Sequence, residues 1–308
     1  MDGIINVYKE KGWTSFDVVA KLRRVLGEKK IGHTGTLDPD ATGVLPVCVG
    51  KATKVCELLT EKEKSYRTVM LLGKTTDTQD ISGKVLQEKE IGNDITPEKI
   101  RLVMENFVGE YMQTPPMFSA LKVNGKKLYE LAREGKTIER KPRKVIFYEI
   151  TVEKIELPCV VFQVTCSKGT YIRTLCEDIG NQLGCGGCMQ ELERTSSGIF
   201  SLEESKTIDQ IQEFVDNNKI ADILIPVDSI FPHLMGVKLP SKFDKLLHNG
   251  NCFSYDCMKQ ARETEAVQKA ALLETRIRIY DSQDAFIGIY ENQKERKMFQ
   301  PLKIFYGK

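Results

Sequence analysis

One aspartate of this sequence, Asp38, has the surroundings expected of a reactive side chain. It lies in IGHTGTLDPDATGVLPVCVGKATK, the segment from Ile31 to Lys54, which is rich in glycine and polar residues. Glycines allow the backbone of a loop to approach a ligand closely. Because an aspartate has an ordinary pKa of about 3.9, it is an anion at neutral pH and can act as a nucleophile without a helper base. The simpler alternative is that Asp38 and Pro39 only begin a turn.

The same residues match a second type of catalytic site. Asp38, Asp40 and Thr42 have the DxDxT spacing of aspartyl-phosphate phosphatases, in which the first aspartate attacks phosphorus, the second donates a proton and magnesium assists. That mechanism needs the aspartates at the end of a buried apolar strand. The residues before Asp38 are Gly-His-Thr-Gly-Thr-Leu, which are not typical of such a strand. We therefore rank the phosphatase interpretation last.

Elements on both sides of this segment are expected to hold it in place. The sequence GIINVYK, at 3–9, predicts an apolar strand, and Thr14 can cap a helix that ends at Gly27. After Asp38, VLPVCVG predicts a buried strand, followed by a short helix from Ala52 to Leu59. The apolar residues of the first helix fall on one face, because they repeat at helical spacing: Val18, Leu22, Val25 and Leu26.

The middle of the chain predicts further strands with helices between them. The strand candidates are KSYRTVMLLG, SGKVLQEKEI, SALKVNGKK, KVIFYEITVEKIEL and VVFQVTCSKG, of which the last two are expected to pair antiparallel. Helices are predicted from Pro97 to Phe107, over LYELAREG, from Thr170 to Leu183 and from Ile208 to Asn217. Since strands and helices do not alternate strictly, they indicate an α+β fold with a mainly antiparallel mixed sheet flanked by helices.

Three prolines divide the predicted elements into two groups. Pro226, Pro232 and Pro240 mark a linker zone, so we expect one domain at 1–226 and a small β-rich domain at 227–308, in which RIRIYDSQDAFIGIYE predicts a hairpin. With 308 residues, 41% of them apolar, the chain can bury a core. The sequence shows neither a signal peptide nor a run of about 18 apolar residues. We therefore expect a soluble, cytoplasmic protein.

Cysteine and charge patterns carry weaker signals. The nine cysteines predict reduced, mostly buried thiols. Cys185-Gly-Gly-Cys188 could be half of a zinc site or a redox pair, but a structural role is favoured because a zinc site needs two more ligands and only three histidines are available. The net charge is only +2, yet basic residues cluster in a pattern that can bind phosphates or can be ordinary surface. The clusters are Lys21, Arg23, Arg24, Lys29, Lys30, Lys51 and Lys54, and Arg133, Lys136, Arg140, Lys141, Arg143 and Lys144.

Five blocks, in the same order, make this chain similar to the bacterial tRNA pseudouridine synthase B (TruB) family. They are GHTGTLDPDATGVLPVCVGKATK, KSYRTVMLLG, TTDTQDISG, PPMFSALKVNGKKLYELAREG and CSKGTYIRTL. The resemblance runs from about Gly3 to Leu202 and is weaker beyond. It implies the pseudouridine synthase fold with a small C-terminal PUA-like domain that binds RNA. It also implies that the protein converts uridine to pseudouridine at position 55, in the T loop of tRNA.

The resemblance further implies roles for six residues. Asp38 would be the nucleophile, and Arg173 would pair with it. The others would contact the RNA: His33 as a wedge in the T loop, Tyr66 as a stacking surface for the target base, and Tyr171 and Leu192 as the lining of the pocket.

These roles agree with what the reaction requires. A base inside a folded loop must be flipped out, which costs about a few kcal/mol, and stacking on an aromatic ring returns about 1 to 3 kcal/mol per base. Burial would raise the pKa of Asp38, whereas a nearby guanidinium opposes that shift and keeps the carboxylate charged. Asp38 could attack C1′ or C6, or remove a proton from C2′, and the sequence does not choose. No route requires a metal ion or a nucleotide cofactor.

One position departs from the family pattern. In LERTSSG, Glu193 stands beside Leu192 where the family usually has a basic residue, so we assign no RNA-binding role to it. This departure and the basic clusters keep a second hypothesis open, that of a tRNA-binding or tRNA-folding protein with weak or lost catalysis. Under either hypothesis we expect a monomer whose partner is the T arm of tRNA, without a membrane or an obligate protein partner.

Overall fold

The computed structural model describes residues 1–123, 125–261 and 263–306. The strands within these ranges, in chain order, are β1 (Gly3–Lys9), β2 (Ile31–His33), β3 (Thr42–Val49), β4 (Lys64–Leu72), β5 (Lys74–Thr76), β6 (Val85–Glu88), β7 (Gly109–Gln113), β8 (Lys122–Val123), β9 (Lys126–Lys127), β10 (Arg143–Glu156), β11 (Cys159–Cys166), β12 (Gly187–Ser197), β13 (Phe200–Ser201), β14 (Met235–Lys238), β15 (Phe253–Ser254), β16 (Arg276–Tyr280), β17 (Phe286–Gln293) and β18 (Met298–Ile304).

The α-helices of the same ranges are α1 (Ser15–Leu26), α2 (Cys56–Thr60), α3 (Pro97–Glu105), α4 (Leu128–Arg133), α5 (Ile172–Leu183), α6 (Ile208–Asp216), α7 (Asp244–His248), α8 (Tyr255–Met258) and α9 (Glu265–Ala271). Short 3-10 helices cover Gly50–Val55, Ile220–Ile223, Val227–Ile230, Ser241–Phe243 and Lys294–Arg296.

A large mixed sheet forms the centre of the fold. Its strand order is β1-β3-β12-β4-β11-β10-β7, with β2 beside β3 and β13 beside β12. Only β3 and β12 run parallel among the described strand pairs of this sheet. Helices α3 and α5 pack on the sheet through an apolar cluster that includes Ile100, Met104, Leu175 and Ile179. The predicted α+β class with a mainly antiparallel mixed sheet is confirmed.

Helix α1 forms where the sequence predicts it, because both of its ends carry strong signals. The Thr14 hydroxyl accepts a hydrogen bond from the Asp17 N–H at 3.1 Å, and the Asp17 carboxylate accepts one from the Thr14 N–H at 2.9 Å. Gly27 ends the helix in the left-handed region, with φ of 63°. Val18 and Leu22 are fully buried in a cluster with residues of β1, β3 and α6. Helix α1 is therefore held firmly against the edge of the sheet.

A second sheet lies in the C-terminal part of the chain. It has the order β14-β16-β17-β18-β15, and β16 and β17 form the predicted hairpin. One apolar cluster contains residues near both sheets: Ile4, Val44 and Phe200 together with Val227, Phe231, Ile289 and Phe305. The two sheets are thus joined by shared apolar packing.

Several elements differ from those that the sequence pattern predicts. The short helix expected from Ala52 to Leu59 is a 3-10 helix up to Val55 and is α-helical only from Cys56. The strand expected over SALKVNGKK is confined to the two-residue strands β8 and β9, and Asn124 of that segment lies outside the described residues.

Strand β12 lies between β3 and β4, yet its residues GCMQELERTSS do not alternate regularly. Shifts in its pairing with β4, after Met189 and after Arg194, interrupt the two-residue period by which a strand is recognised. Helix α5 begins at Ile172 rather than at Thr170, because Tyr171 has extended backbone angles at the N-cap position.

The helices and the cysteines have two further properties. Within the described ranges, every helix is too short or too polar to span a membrane. The nine cysteines are free thiols in this structure. Five of them are buried: Cys48, Cys166, Cys176, Cys185 and Cys188.

Candidate active site

Asp38 lies in the loop between β2 and β3, and its backbone is fixed. The Asp38 carbonyl accepts a hydrogen bond from the Ala41 N–H at 3.1 Å, which closes a tight turn. On the other side, the Leu37 N–H donates to Ser15 Oγ at 2.9 Å, and Ser15 Oγ donates to the Leu37 carbonyl at 3.3 Å. Because Ser15 is the first residue of α1, that helix holds the residue before Asp38.

Lys9, at the end of β1, holds the residue after Asp38. Its side chain is fully buried, and Nζ donates to the carbonyl oxygens of Pro39 at 3.1 Å, Trp13 at 2.7 Å and Glu10 at 3.1 Å. Burial lowers the pKa of Lys9 to about 8, although the nearby carboxylate of Asp38 acts in the opposite direction. The loop is therefore anchored on both sides of Asp38.

Arg173, in the first turn of α5, faces the Asp38 carboxylate. Its Nε lies 3.0 Å from Asp38 Oδ2, and its Nη2 lies 3.4 Å from Oδ1. The guanidinium also donates to the carbonyls of Phe118 at 2.8 Å and Thr78 at 3.1 Å, and Nη1 lies 3.5 Å from Asp80 Oδ2. With 5% of Arg173 exposed, these contacts fix the guanidinium in one position.

The segment TTDTQDISG supplies the contacts behind Arg173. Asp80 Oδ1 accepts hydrogen bonds from the Thr78 hydroxyl at 2.7 Å and from the Ser82 N–H at 3.0 Å, so the carboxylate is held by its own turn. The neighbouring Gln79 accepts a hydrogen bond from the Thr174 hydroxyl of α5 at 2.7 Å. These hydrogen bonds connect the turn to α5 beside the guanidinium.

The pKa of the Asp38 carboxyl is raised, although the sequence predicts that the guanidinium keeps this group charged. Burial raises the pKa of the Asp38 carboxyl above its ordinary value, and the Arg173 charge opposes this shift without cancelling it. Asp80 adds to the rise because its carboxylate carries the same charge. The Asp38 side chain is still 38% exposed, so a ligand can reach it. The result is a carboxyl group that takes up a proton more readily than an ordinary aspartate.

Tyr66 of β4 and Leu192 of β12 contribute to the same site. Each is 9% exposed, and both belong to an apolar cluster that includes Leu37 and Ala41 from the Asp38 loop. Burial raises the pKa of Tyr66 to about 12, although Arg194 beside it acts in the opposite direction. The phenol is therefore protonated at neutral pH, and Tyr66 presents an uncharged ring.

His33 and Tyr171 lie at two other edges of the site. His33 ends β2, its Nδ1 accepts a hydrogen bond from the Gly35 N–H at 3.3 Å, and burial lowers its pKa, so the ring is neutral at pH 7. The Tyr171 N–H donates to Gln113 Oε1 at 2.8 Å, and the Gln113 amide donates back to the Tyr171 carbonyl at 3.0 Å. Burial raises the pKa of the Tyr171 phenol, so this ring is neutral as well.

Comparisons with known proteins decide the family. The model of the TruB family pseudouridylate synthase N-terminal domain matches residues 23–172, and that of the tRNA pseudouridylate synthase B C-terminal domain matches 173–232. The tRNA pseudouridine synthase B of Lachnoclostridium phytofermentans is 50% identical, over 99% of this chain and 100% of its own. That of Clostridium tetani is 43% identical, over 96% and 97%. The chain belongs to the tRNA pseudouridine synthase B family.

Solved structures agree with the membership in this family. A chain from an H/ACA RNP bound to a substrate RNA containing 2′-deoxyuridine matches with a TM-score of 0.70 and 25% identity, over 99% of this chain and 85% of that chain. A chain from a Cbf5-Nop10-Gar1 complex matches with a TM-score of 0.70 and 27% identity, over 98% and 84%. The predicted pseudouridine synthase fold is confirmed.

Arg194 of this TruB chain is a site residue that the sequence analysis missed. It is 1% exposed, and its guanidinium donates to the carbonyls of Val44 at 2.5 Å and Gly35 at 3.3 Å. It also lies beside Tyr66 and His33, where its charge opposes the burial that raises the pKa of Tyr66 and adds to the burial that lowers the pKa of His33. The signal for it was present, because Leu192 and Arg194 are two positions apart and so share one face of a strand.

Glu193, the departure from the usual TruB pattern, points to different partners. Its Oε1 accepts a hydrogen bond from the Tyr8 hydroxyl at 3.2 Å, and its backbone pairs with Thr42 and with Arg67. The carboxylate is therefore accommodated by a phenol of β1 and does not enter the group around Asp38.

The phosphatase interpretation of Asp38 and Asp40 has little support in the geometry. Asp40 is exposed, and Asp38 follows the three-residue β2 after four intervening residues rather than ending a buried strand. In the described part of the chain, no group of three or more His, Cys, Asp or Glu residues is arranged to hold a metal ion.

Proposed function

We propose that this chain isomerises uridine to pseudouridine at position 55, in the T loop of tRNA, with Asp38 as the nucleophile. The observation that carries the proposal is the contact between Asp38 and Arg173, at 3.0 Å, on a loop whose backbone is anchored on both sides. A reactive carboxylate needs this combination of a fixed position and a permanent positive charge. Family membership supplies the reaction class.

The residues around Asp38 fit the demands of a flipped nucleotide. Tyr66 and Leu192 offer a ring and an alkyl surface, and both are uncharged at neutral pH. Because Tyr66 is 9% exposed, only part of its ring can contact a base, and this contact would repay some of the cost of unstacking. His33, five residues before Asp38, would enter the T loop with a neutral ring, which avoids burying a charge among bases.

The reaction conserves atoms apart from one exchanged proton. The bond between C1′ of the ribose and N1 of the base breaks, a bond between C1′ and C5 forms, the proton of C5 is released to solvent, and N1 takes up a proton. Asp38 either forms a covalent bond to C1′ or C6, or removes a proton from C2′ to give a glycal. Arg173 holds the carboxylate in place in both routes, and its charge favours the ionised form that both routes require.

We extend the proposal to the organisation of the chain. Residues 1–226 would hold the catalytic site, and residues 227–308 would form a small RNA-binding domain that contacts a more distant part of the tRNA. The protein would act as a monomer in the cytoplasm, with the T arm of tRNA as its partner and without an obligate protein partner. The apolar cluster that joins Val44 and Phe200 to Phe231 and Phe305 would keep the two domains in one orientation.

The proposal is tested by the release of tritium from tRNA. An unmodified tRNA transcript with tritium at C5 of uridine is incubated with the protein, and about one tritium per tRNA is expected in the solvent, because C5 must lose its hydrogen. Asp38→Asn should abolish the release and leave tRNA affinity nearly unchanged. Asp40→Asn is the matched control, since this exposed carboxylate lies two positions away and should be dispensable. Replacement of the T-loop uridine should also abolish the release.

Other outcomes would have distinct meanings. Full release by Asp38→Asn contradicts the role of Asp38. Binding of tRNA by the unaltered protein without any release favours a tRNA-binding or tRNA-folding protein. Loss of activity in both Asp38→Asn and Asp40→Asn, with release of phosphate from a generic ester in magnesium, would restore the phosphatase interpretation.

A further inference from the structure

An open groove lies between α1 and β2, on the side of the loop that carries His33. Its volume is about 640 Å³, and the walls include Phe16, Arg23, Lys29, Lys30 and His33. The floor is apolar, with Val19, Ile31 and Cys56. We name this space the α1–β2 groove. No residue of this groove apart from His33 has a role in the function proposed above.

The charged residues that line the α1–β2 groove are cations, and the nearby Glu28 carboxylate accepts a hydrogen bond from the Lys30 N–H at 2.9 Å. Arg23, Lys29 and Lys30 are exposed, and the described lining residues include no carboxylate. None of these three cations forms a salt bridge within the described ranges, whereas the nearby Lys51 pairs with Asp2 at 3.4 Å. Arg23 donates at 3.4 Å to the Ile31 carbonyl, which fixes its guanidinium at the rim. The groove is therefore suited to an anionic ligand.

Phe16 adds an aromatic surface to this cationic rim. Its side chain is 66% exposed, more than that of any other aromatic residue in the described ranges. It is the second residue of α1, whose first residue, Ser15, hydrogen-bonds to Leu37 beside Asp38. The start of the helix thus holds the backbone of Phe16 at a fixed place relative to the loop that carries the nucleophile. An exposed aromatic ring beside cations is the usual arrangement for binding an unpaired nucleotide.

The groove shares one residue, His33, with the candidate active site. His33 lines it and belongs to β2, and Asp38 follows His33 after four residues. If the target uridine reaches Asp38 and His33 enters the loop, the position of His33 in the groove lining would bring the neighbouring nucleotides to this groove. Those nucleotides lose their stacking partner when the target base leaves the loop, so they gain from another aromatic surface.

We propose that the α1–β2 groove is a second nucleotide-binding site for the substrate RNA, resting on the function proposed above. A base next to the target uridine stacks on Phe16, and the phosphates of the same strand contact Lys29, Lys30 and Arg23. The site binds the conformation of the RNA in which the target base has already flipped out of the loop. Its contribution is to substrate affinity and to the population of the flipped state, because the groove does not touch the reacting atoms.

The first test compares variants at Phe16. Phe16→Ala should weaken binding of the tRNA about tenfold, by loss of one stacking contact, and Phe16→Trp should restore it. Leu102→Ala is the matched control, since Leu102 is 61% exposed on the distant α3 and its loss should change nothing. An affinity for tRNA that is the same in Phe16→Ala and in Leu102→Ala would overturn the proposal.

The second test locates the base. 2-Aminopurine replaces, one at a time, the nucleotides beside the target uridine, and its fluorescence is read in the complex with unaltered protein and with Phe16→Ala. At one position the fluorescence should be quenched by the unaltered protein and rise at least twofold in the variant, because the stacking ring has been removed. If no position responds to Phe16→Ala, the base does not stack there and the proposal is wrong.

The third test concerns the phosphates. For the double variant Lys29→Gln and Lys30→Gln, the slope of log affinity against log salt should become shallower by about 1.4, or about 0.7 for each contact to a single strand. Lys154→Gln, on the outer part of β10, serves as the control. An unchanged slope would point to another ligand, such as an acidic peptide, and would overturn the RNA site.

The proposal and the function on which it rests fail in different ways. Absence of tritium release by the unaltered protein would contradict the synthase function. Suppose instead that the unaltered protein releases tritium and binds tRNA normally, and that Phe16→Ala and the lysine double variant bind tRNA as tightly as it does. The synthase function would then stand, and only the role of the groove would be wrong.

Discussion

Ser15 and Leu37 are joined by two hydrogen bonds, although 22 positions separate them in the chain. The serine hydroxyl accepts from the Leu37 N–H and donates to the Leu37 carbonyl, and Ser15 is 1% exposed. The pair connects the capped start of α1 to the residue before Asp38. A buried hydroxyl with both hydrogen bonds made on one residue acts as a positioning group for the loop.

Replacement of Ser15 by alanine should lower kcat more than it changes KM. The change leaves the Leu37 N–H without a partner, which costs about 1 to 3 kcal/mol, and it releases one side of the loop. Because misplacement of a reactive group by about 1 Å can cost about a hundredfold in rate, we expect kcat to fall by about 10- to 100-fold. Single-turnover tritium release and tRNA affinity measure the two effects. Ser229→Ala removes a similar hydrogen bond at a distant, exposed serine and should leave kcat unchanged.

Lys9 should give the protein a pH dependence of stability with a defined sign. Burial lowers its pKa to about 8, whereas an unfolded lysine has a pKa of about 10.4. Between these values the unfolded chain binds more protons, so the stability contributed by this group rises with pH. The free energy of unfolding of the unaltered protein minus that of Lys9→Met should therefore increase from pH 8 to pH 10. Lys9→Met should also lose activity, since the Pro39 carbonyl beside Asp38 loses its hydrogen-bond donor. Lys11→Met should keep its activity. A difference that falls with pH would contradict the lowered pKa.

Much of the fold follows from local signals, and the rest depends on long-range packing. The sequence predicts α1, β4, β10 and β11 because caps and regular alternation mark them. It does not reveal β12, because irregular pairing disturbs the alternation of its residues. Arg194 was missed for a different reason, since a guanidinium in a strand is expected at the surface. The site residues themselves came from a family resemblance, because only the folded chain brings Asp38 within 3.0 Å of Arg173.

The pH dependence of turnover should depend on Arg173. Burial raises the pKa of Asp38, and the Arg173 charge lowers it in part. As the pH decreases, turnover should therefore begin to fall at a higher pH than it would with an aspartate of ordinary pKa. In Arg173→Gln the opposing charge is lost, so the acid limb of the kcat profile should move to still higher pH. The profile of tritium release between pH 5 and 8.5 measures this shift. Arg67→Gln, which removes an exposed guanidinium paired with Glu153, is the control and should leave the acid limb in place. A shift to lower pH in Arg173→Gln would contradict the role of this charge.

Tyr66 should act through its ring and not through its hydroxyl. Burial raises the pKa of the phenol to about 12, so the group neither accepts nor releases a proton near neutral pH. Tyr66→Phe should therefore keep most of the turnover, with the same pH profile up to pH 9. Tyr66→Leu keeps an apolar side chain but loses the aromatic face, and binding of the flipped base should weaken by about 1 to 3 kcal/mol. Tritium release measures turnover. Binding is measured as the affinity for tRNA of the Asp38→Asn variant, alone and combined with Tyr66→Leu. If Tyr66→Phe abolished turnover while its thermal unfolding stayed normal, the hydroxyl beside Arg194 would have a chemical role and the stacking assignment would be wrong.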